Sequence, residues 1–215
     1  MELVKRFCYI IFLLLIVSNA IATNVDVLRD AALKVVSDFC QFEFSYNYDA
    51  RHALMKMSSE YKAKADKLDA FPGDLQIDHA YEVYAIKAYK ILDLTMSGNN
   101  AIAMVNYNVL AKRTDWMLHK YKDGVSWGEA IFVEYLKPNY IEKIHLTYDG
   151  KRWWVLDPPS PKISVEKIIA FLEDDMKVLE KHNPKIKIGQ ALPGPQGGYN
   201  EDQRNLTLLK KLVGK

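Results

Sequence analysis

The chain has 215 residues, 49% of them apolar, a formal net charge of +2 and two cysteines, Cys8 and Cys40. Its lysines and arginines are mixed evenly with acids and form no basic stripe, which excludes nucleic acid as a partner. With one cysteine per region of the chain, a small scaffold stapled by disulfides is excluded as well, and stability has to come from an apolar core.

At the N-terminus, Lys5 and Arg6 precede an apolar run from Phe7 to Val17, followed by the small-x-small triplet Ala20-Ile21-Ala22. These are the three regions of a secretory signal peptide, expected over residues 1–22 with cleavage after Ala22. The run is shorter than the roughly 20 residues that span a bilayer. Export is therefore expected, to the periplasm if the source is bacterial and to the exterior otherwise. Cys8 leaves with the signal and sits outside any lipid-attachment context. Cys40, flanked by Phe39, Phe42 and Phe44, reads as a buried, inert thiol.

From Asp26 to about Asn47, Leu28, Ala32, Val35, Phe39, Phe42 and Tyr46 recur at steps of three and four, the signature of a helix with one apolar face. Asp49 is placed to cap a second helix, with Leu54, Met57, Tyr61 and Leu68 as its stripe and Phe71-Pro72-Gly73 as its stop. Period two then takes over. Between Tyr81 and Met96, Tyr84, Ile86, Ala88, Leu92 and Leu94 alternate with Lys87, Tyr89 and Asp93. Ser97-Gly98-Asn99-Asn100 makes a turn, and Ala103, Val105, Tyr107 and Val109 face one side of the returning strand. From Arg113 to Asn139 the pattern suggests a strand extension, a loop and a third strand over Ile131 to Leu136.

Tyr140 to Asp157 reads as a closing hairpin, with Asp149-Gly150 supplying the left-handed turn positions. Pro158, Pro159 and Pro161 cannot continue a ladder. Ser164 is placed to cap a further helix with the stripe Val165, Ile168, Ile169, Leu172, Met176 and Leu179, stopped at Asn183-Pro184. The glycines and prolines from Gly189 to Gly198 predict a flexible tail over 183–215, with a short amphipathic piece at Leu206 to Val213. Asn205-Leu206-Thr207 has the form of a glycosylation acceptor, a triplet that also arises by chance. The domain proper is expected over 23–182.

The segments YEVYAIKAYKILDLTMSGNNAIAMVNYNV and IEKIHLTYDGKRWWVLDPP, after two helices, resemble the NTF2-like superfamily, also called cystatin-like or ketosteroid-isomerase-like. The resemblance covers about Asp26 to Pro159 and rests on the order of elements and on a tryptophan after the hairpin glycine. Trp153 and Trp154 stand one or two residues further beyond that glycine than is commonest in the family, and the helix after Ser164 is an addition. The resemblance implies an α+β fold in which N-terminal helices pack on a curved antiparallel sheet, a cone, here with an additional C-terminal helix. Such cones serve as enzyme cavities or as binding and assembly modules, so fold alone selects no function.

Candidate chemistry is sparse. Glu142 alternates with Ile144, Leu146 and Tyr148 and is expected to point inward; Lys90 interrupts the face of Ile86, Ala88 and Leu92, so an inward Lys90–Glu142 pair is expected, as an acid/base couple or as a paired charge at the rim. Asp93 and His145 are expected on the outer face. The five histidines show no metal-binding spacing, and no nucleophile elbow or phosphate loop occurs, so no metal, cofactor or catalytic set is expected. Of the aromatics, Tyr46, Tyr107 and Trp154 are the candidates to line a ligand cavity, together with Lys90 and Glu142, and Trp116 and Trp127 the candidates for a docking surface. Trp154 and Met104 are the side chains expected to close the cavity if the protein docks rather than encloses. The leading expectation is a non-enzymatic module binding an apolar small molecule or an envelope protein, with a homodimer through the outer sheet face conceivable. The alternatives are a small isomerase or hydratase using Lys90, Glu142 and Tyr46, and a structural part of an envelope transport or secretion assembly.

Overall fold

A computed structural model describes residues 25–59, 80–116, 119–121, 124–126, 131–137, 139–182 and 195–214. The expected signal segment, most of the expected second helix and Trp127 lie outside them. Residues 25–44 form helix α1. Its buried positions are Ala32, Val36, Phe39, Cys40 and Glu43, a stripe at helical spacing. The helix is thus rotated relative to the sequence reading: Val36, Cys40 and Glu43 turn inward, while Tyr46 is left 54% exposed. The N–H of Asn47 donates to the carbonyl of Phe42 and that of Tyr46 to Glu43, the crossed bonds of a Schellman cap with Tyr46 in its left-handed position at φ 58°.

The short helix α2 (Tyr48–His52) is capped by Asn47, whose Oδ1 accepts from the Ala50 N–H at 3.2 Å. Asp49, the expected cap, instead lies in the first turn, where its charge suits the helix N-terminus. The second helix expected through Leu54 and Met57 does not continue there. After α2 the chain extends into β1 (Met55–Lys56), because the later strand over Trp153–Leu156 captures its backbone: Val155 N–H donates to Leu54 O at 2.9 Å and Asp157 N–H to Lys56 O at 3.0 Å. Paired backbone outweighs a modest helical stripe.

Strands β2 (Ala80–Ser97) and β3 (Asn100–Trp116) form the long hairpin expected around Gly98-Asn99. Next come the ribbon of β4 (His119–Tyr121) and β5 (Gly124–Ser126), then β6 (Phe132–Glu134), β7 (Asn139–Tyr148), β8 (Trp153–Leu156) and β9 (Lys162–Ser164). The main sheet runs β1-β8-β7-β3-β2-β9, with β6 pairing β3 beyond the reach of β7. Its centre, β8-β7-β3-β2, is antiparallel as expected, and short parallel strands, β1 on β8 and β9 on β2, extend both edges. The sheet is strongly curled, a half-barrel consistent with a cone.

Three bulges account for much of the curl. The β2–β3 register skips Lys87 and Leu92 on one strand and Leu110 on the other, and each extra residue bends the ladder and shifts the alternation by one. The face of β2 turned toward α1 therefore reads Tyr84, Ile86, then Tyr89, Ile91, then Leu94, Met96. Ala88 and Leu92, expected inward, are exposed. On β3 the odd residues from Ala101 to Val109 face α1, and past the Leu110 bulge Ala111 faces the other way.

The closing hairpin is present, but its loop spans four residues: Tyr148 pairs with Trp153, and only Gly150 takes positive φ, at 91°. Ser164 Oγ accepts from Lys167 N–H at 3.1 Å and starts helix α3 (Val165–His182), which buries Val165, Ile168 and Leu172; the expected stop at Asn183-Pro184 lies outside the described residues. Where the sequence predicted a flexible tail, Pro195–Val213 form helix α4. It buries Tyr199, Asn205, Leu209 and Leu212, and this docking against α3 and β6 supplies what its glycine-rich start lacks. Two cores result, one between α1 and the sheet and one on the opposite face under α3 and α4.

Candidate functional site

The two cores meet at β9, whose Lys162 points toward the α1 side and whose Ile163 points toward α3. Lys162 is wholly buried and pairs with Glu142 on β7. Its ammonium lies 5.5, 5.4 and 5.8 Å from the ring centres of Tyr84, Tyr107 and Tyr140. Rings facing a cation offset part of its lost hydration. Burial pulls the lysine below its usual pKa, against the opposing pull of Glu142. Tyr140 Oη donates to the other carboxylate oxygen of Glu142 at 3.2 Å, and burial, then Glu142, pushes that phenol up to about 12.

A second ion pair stands beside the first. Glu43 on α1 accepts from Arg51 Nε on α2 at 2.8 Å, with both side chains buried. Arg51 also donates to the Pro159 carbonyl at 3.2 Å and lies 5.1 Å from the Phe39 ring, so it ties α2 to the segment leading into β9. Burial pushes the Glu43 acid up to about 7, with Arg51 and Lys162 opposing. Its Oε2 has no hydrogen-bond partner. Cys40 Sγ lies 3.6 Å from Tyr107 Oη, and burial raises the thiol to about 12, in keeping with the inert cysteine read from the sequence.

Next to this charged core, on the α3 side, lies a pocket of about 220 Å³. Val83, Phe132, Ile163, Ile168 and Leu172 form its walls, and Glu43 and Arg51 border it where it meets the charged core. Phe42, Tyr46, Tyr48 and Phe171 add an aromatic rim, in which Tyr46 and Phe171 meet edge to face at 6.2 Å. Tyr46, Tyr48 and Phe171 are exposed. The left-handed Tyr46 thus stands at this rim, a backbone state that costs a non-glycine residue about 1–3 kcal/mol and that tends to mark ligand sites.

The residues singled out in the sequence are dispersed by this arrangement. Tyr107 and Glu142 are inward and adjacent to Lys162, as the alternation of β3 and β7 suggested. Lys90 is not their partner: the bulge at Lys87 turns it to the exposed side, and Lys162 takes the place assigned to it. Tyr46 joins the pocket rim instead of a cone interior. Trp154 is not among the residues lining this pocket; it lies on the hairpin under Arg152, whose guanidinium carbon is 3.5 Å from its ring centre, and its Nε1–H donates to Asp149 at 2.7 Å. The backbone N–H of Arg152, that indole and the backbone N–H of Lys151 hold the Asp149 acid well below its usual range. The buried tryptophan is Trp153, and Met104 lies on the sheet face away from α1. Trp116 ends β3, its side chain outside the described residues along with all of Trp127, so the expected docking surface has no described side chain.

Lys162, Glu43 and Arg51 were missed. Glu43 left a trace, since it continues the Ala32, Val36, Phe39/Cys40 spacing and so occupies a core position of α1. Lys162 left none, because a three-residue strand after prolines does not reveal which face meets the core. Among the described residues no three His, Cys, Asp or Glu side chains are placed to hold a metal ion, and no helix is long and apolar enough to cross a membrane. No family model, curated protein or solved structure matches the chain, so geometry alone carries the functional reading.

Proposed function

We propose that the chain is an exported, non-enzymatic binding module, a distant NTF2-like protein whose pocket beside α3 receives an apolar small molecule. The observation that carries this reading is the pocket itself: about 220 Å³ with apolar walls and three exposed aromatic side chains at its rim. Exposed aromatics gathered at a concave apolar site favour ligand capture. A volume below the roughly 300 Å³ of ordinary ligand sites selects a short chain or a single ring. The acid/base alternative loses its participants, because Lys90, Glu142 and Tyr46 lie apart, and the lysine that does meet Glu142 is sealed and paired. The N-terminal charge, apolar run and small-x-small pattern support export.

Calorimetric titration of the full chain with p-xylene, a single-ring apolar molecule, is expected to give a saturable, one-site isotherm. Phe171→Glu, at an exposed position that leaves folding intact, should weaken binding at least about tenfold by placing a charge in the apolar rim. A non-saturating signal, or one unchanged by this substitution, would overturn the proposal.

A further inference from the structure

The pocket's apolar walls do not account for its charge. Arg51, Arg113 and Lys167 border it, against the single carboxylate of Glu43. Glu43 is matched by Arg51 at 2.8 Å and so has little to offer a cationic ligand. Arg113 stacks 5.1 Å from the Phe132 ring, and its charge opposes the upward push on the Asp202 acid of α4. Lys167, exposed on the first turn of α3, forms no ion pair among the described residues. An ammonium left over at the edge of an apolar pocket is complementary to an anion whose tail lies inside.

We infer that the pocket takes a short apolar chain ending in an anionic head, the chain against Phe132, Ile168 and Leu172 and the head at the mouth beside Lys167 and Arg113. This rests on the reading that the pocket binds an apolar molecule, and it adds the class of that molecule. The head stays at the mouth because an ion drawn into the apolar interior would lose its hydration without a full set of partners. Carboxylate and phosphate monoester heads share this chemistry, and the source, a free acid or a lipid fragment, is left to the measurement.

The test is calorimetric titration of the full chain, at neutral pH and low salt, with octanol, octanoate, octyl phosphate, octyltrimethylammonium and inorganic phosphate. Octanoate or octyl phosphate should bind at least about tenfold tighter than octanol, the worth of one charge-assisted contact. Octyltrimethylammonium should bind weakest. Lengthening the chain should tighten binding about fourfold per methylene until the pocket is full. Lys167→Glu, a surface change, should abolish the preference for the anion over octanol. Equal affinity for octanoate and octanol, tightest binding of the ammonium, or inorganic phosphate binding as well as octyl phosphate would each overturn the inference while leaving the pocket reading in place. If octanol and every other chain fail to bind, the pocket reading itself falls.

Discussion

Replacing Lys162 by methionine is expected to be among the most damaging conservative substitutions in the α1 core, and the reason is what it leaves behind. Lys162 is 0% exposed and Glu142 15% exposed at the side chain. Without the ammonium, Glu142 retains only the Tyr140 hydroxyl and a narrow route to water. Breaking a buried pair from one side costs about 3–5 kcal/mol; the partial hydration of Glu142 places Lys162→Met near the lower end, about 3 kcal/mol. Glu142→Leu strands the wholly buried cation and belongs near the upper end. For a chain of this size, about 3 kcal/mol lowers Tm by roughly 6–12 °C. The double variant Lys162→Met/Glu142→Leu removes both charges and keeps the volume, so it should lie within about 1 kcal/mol of wild type or above it. Urea denaturation of the four proteins completes the cycle. A single Lys162→Met loss below about 1 kcal/mol, or a double variant as damaged as the two singles summed, would refute the claim that these charges are buried and mutually dependent.

Glu43, raised to about 7 by burial, keeps its proton in the folded chain between about pH 4.5 and 7, where the unfolded chain has already released it. Its contribution is full below about pH 4.5 and is lost as pH rises through about 7. Asp202, raised to about 7 by burial and by Asp175, contributes in the same sense, so stability against pH should fall across this window, less steeply in Glu43→Gln and least in Glu43→Gln/Asp202→Asn; an unchanged slope in both would reject the burial of these acids. Asn205 is 1% exposed and accepts the Phe132 N–H at 2.8 Å, so Asn205→Ala should cost about 1–3 kcal/mol and speed amide exchange at Phe132, and the triplet should carry no glycan in the folded protein. Trp153→Ala, in the core, should cost about 3–5 kcal/mol in a denaturation curve, whereas Trp154→Ala, on the exposed hairpin, should cost under about 1 kcal/mol; the reverse order would contradict the hairpin register.

What the chain determined by itself is what neighbours within a few residues decide. The glycine of Ser97-Gly98-Asn99-Asn100 can adopt the left-handed turn, prolines after Asp157 cannot donate to a ladder, and Ser164 can cap the helix that begins beside it, so the α+β order, the ends of β7 and β8 and the start of α3 were readable. The inward set of β7, including Glu142, was readable because no bulge interrupts it. Only the tertiary structure decided the rest. Bulges at Lys87, Leu92 and Leu110 form where a curled sheet must satisfy two cores at once, and each reversed the sides read from simple alternation, Lys90 among them. Glu142 found its cation at Lys162, on an edge strand held by β2, and Glu43 and Arg51 joined from α1 and α2. The tail became a helix because α3 and β6 cover its apolar side. Partnership between segments far apart in sequence is settled by burial and desolvation, which periodicity along one segment does not record.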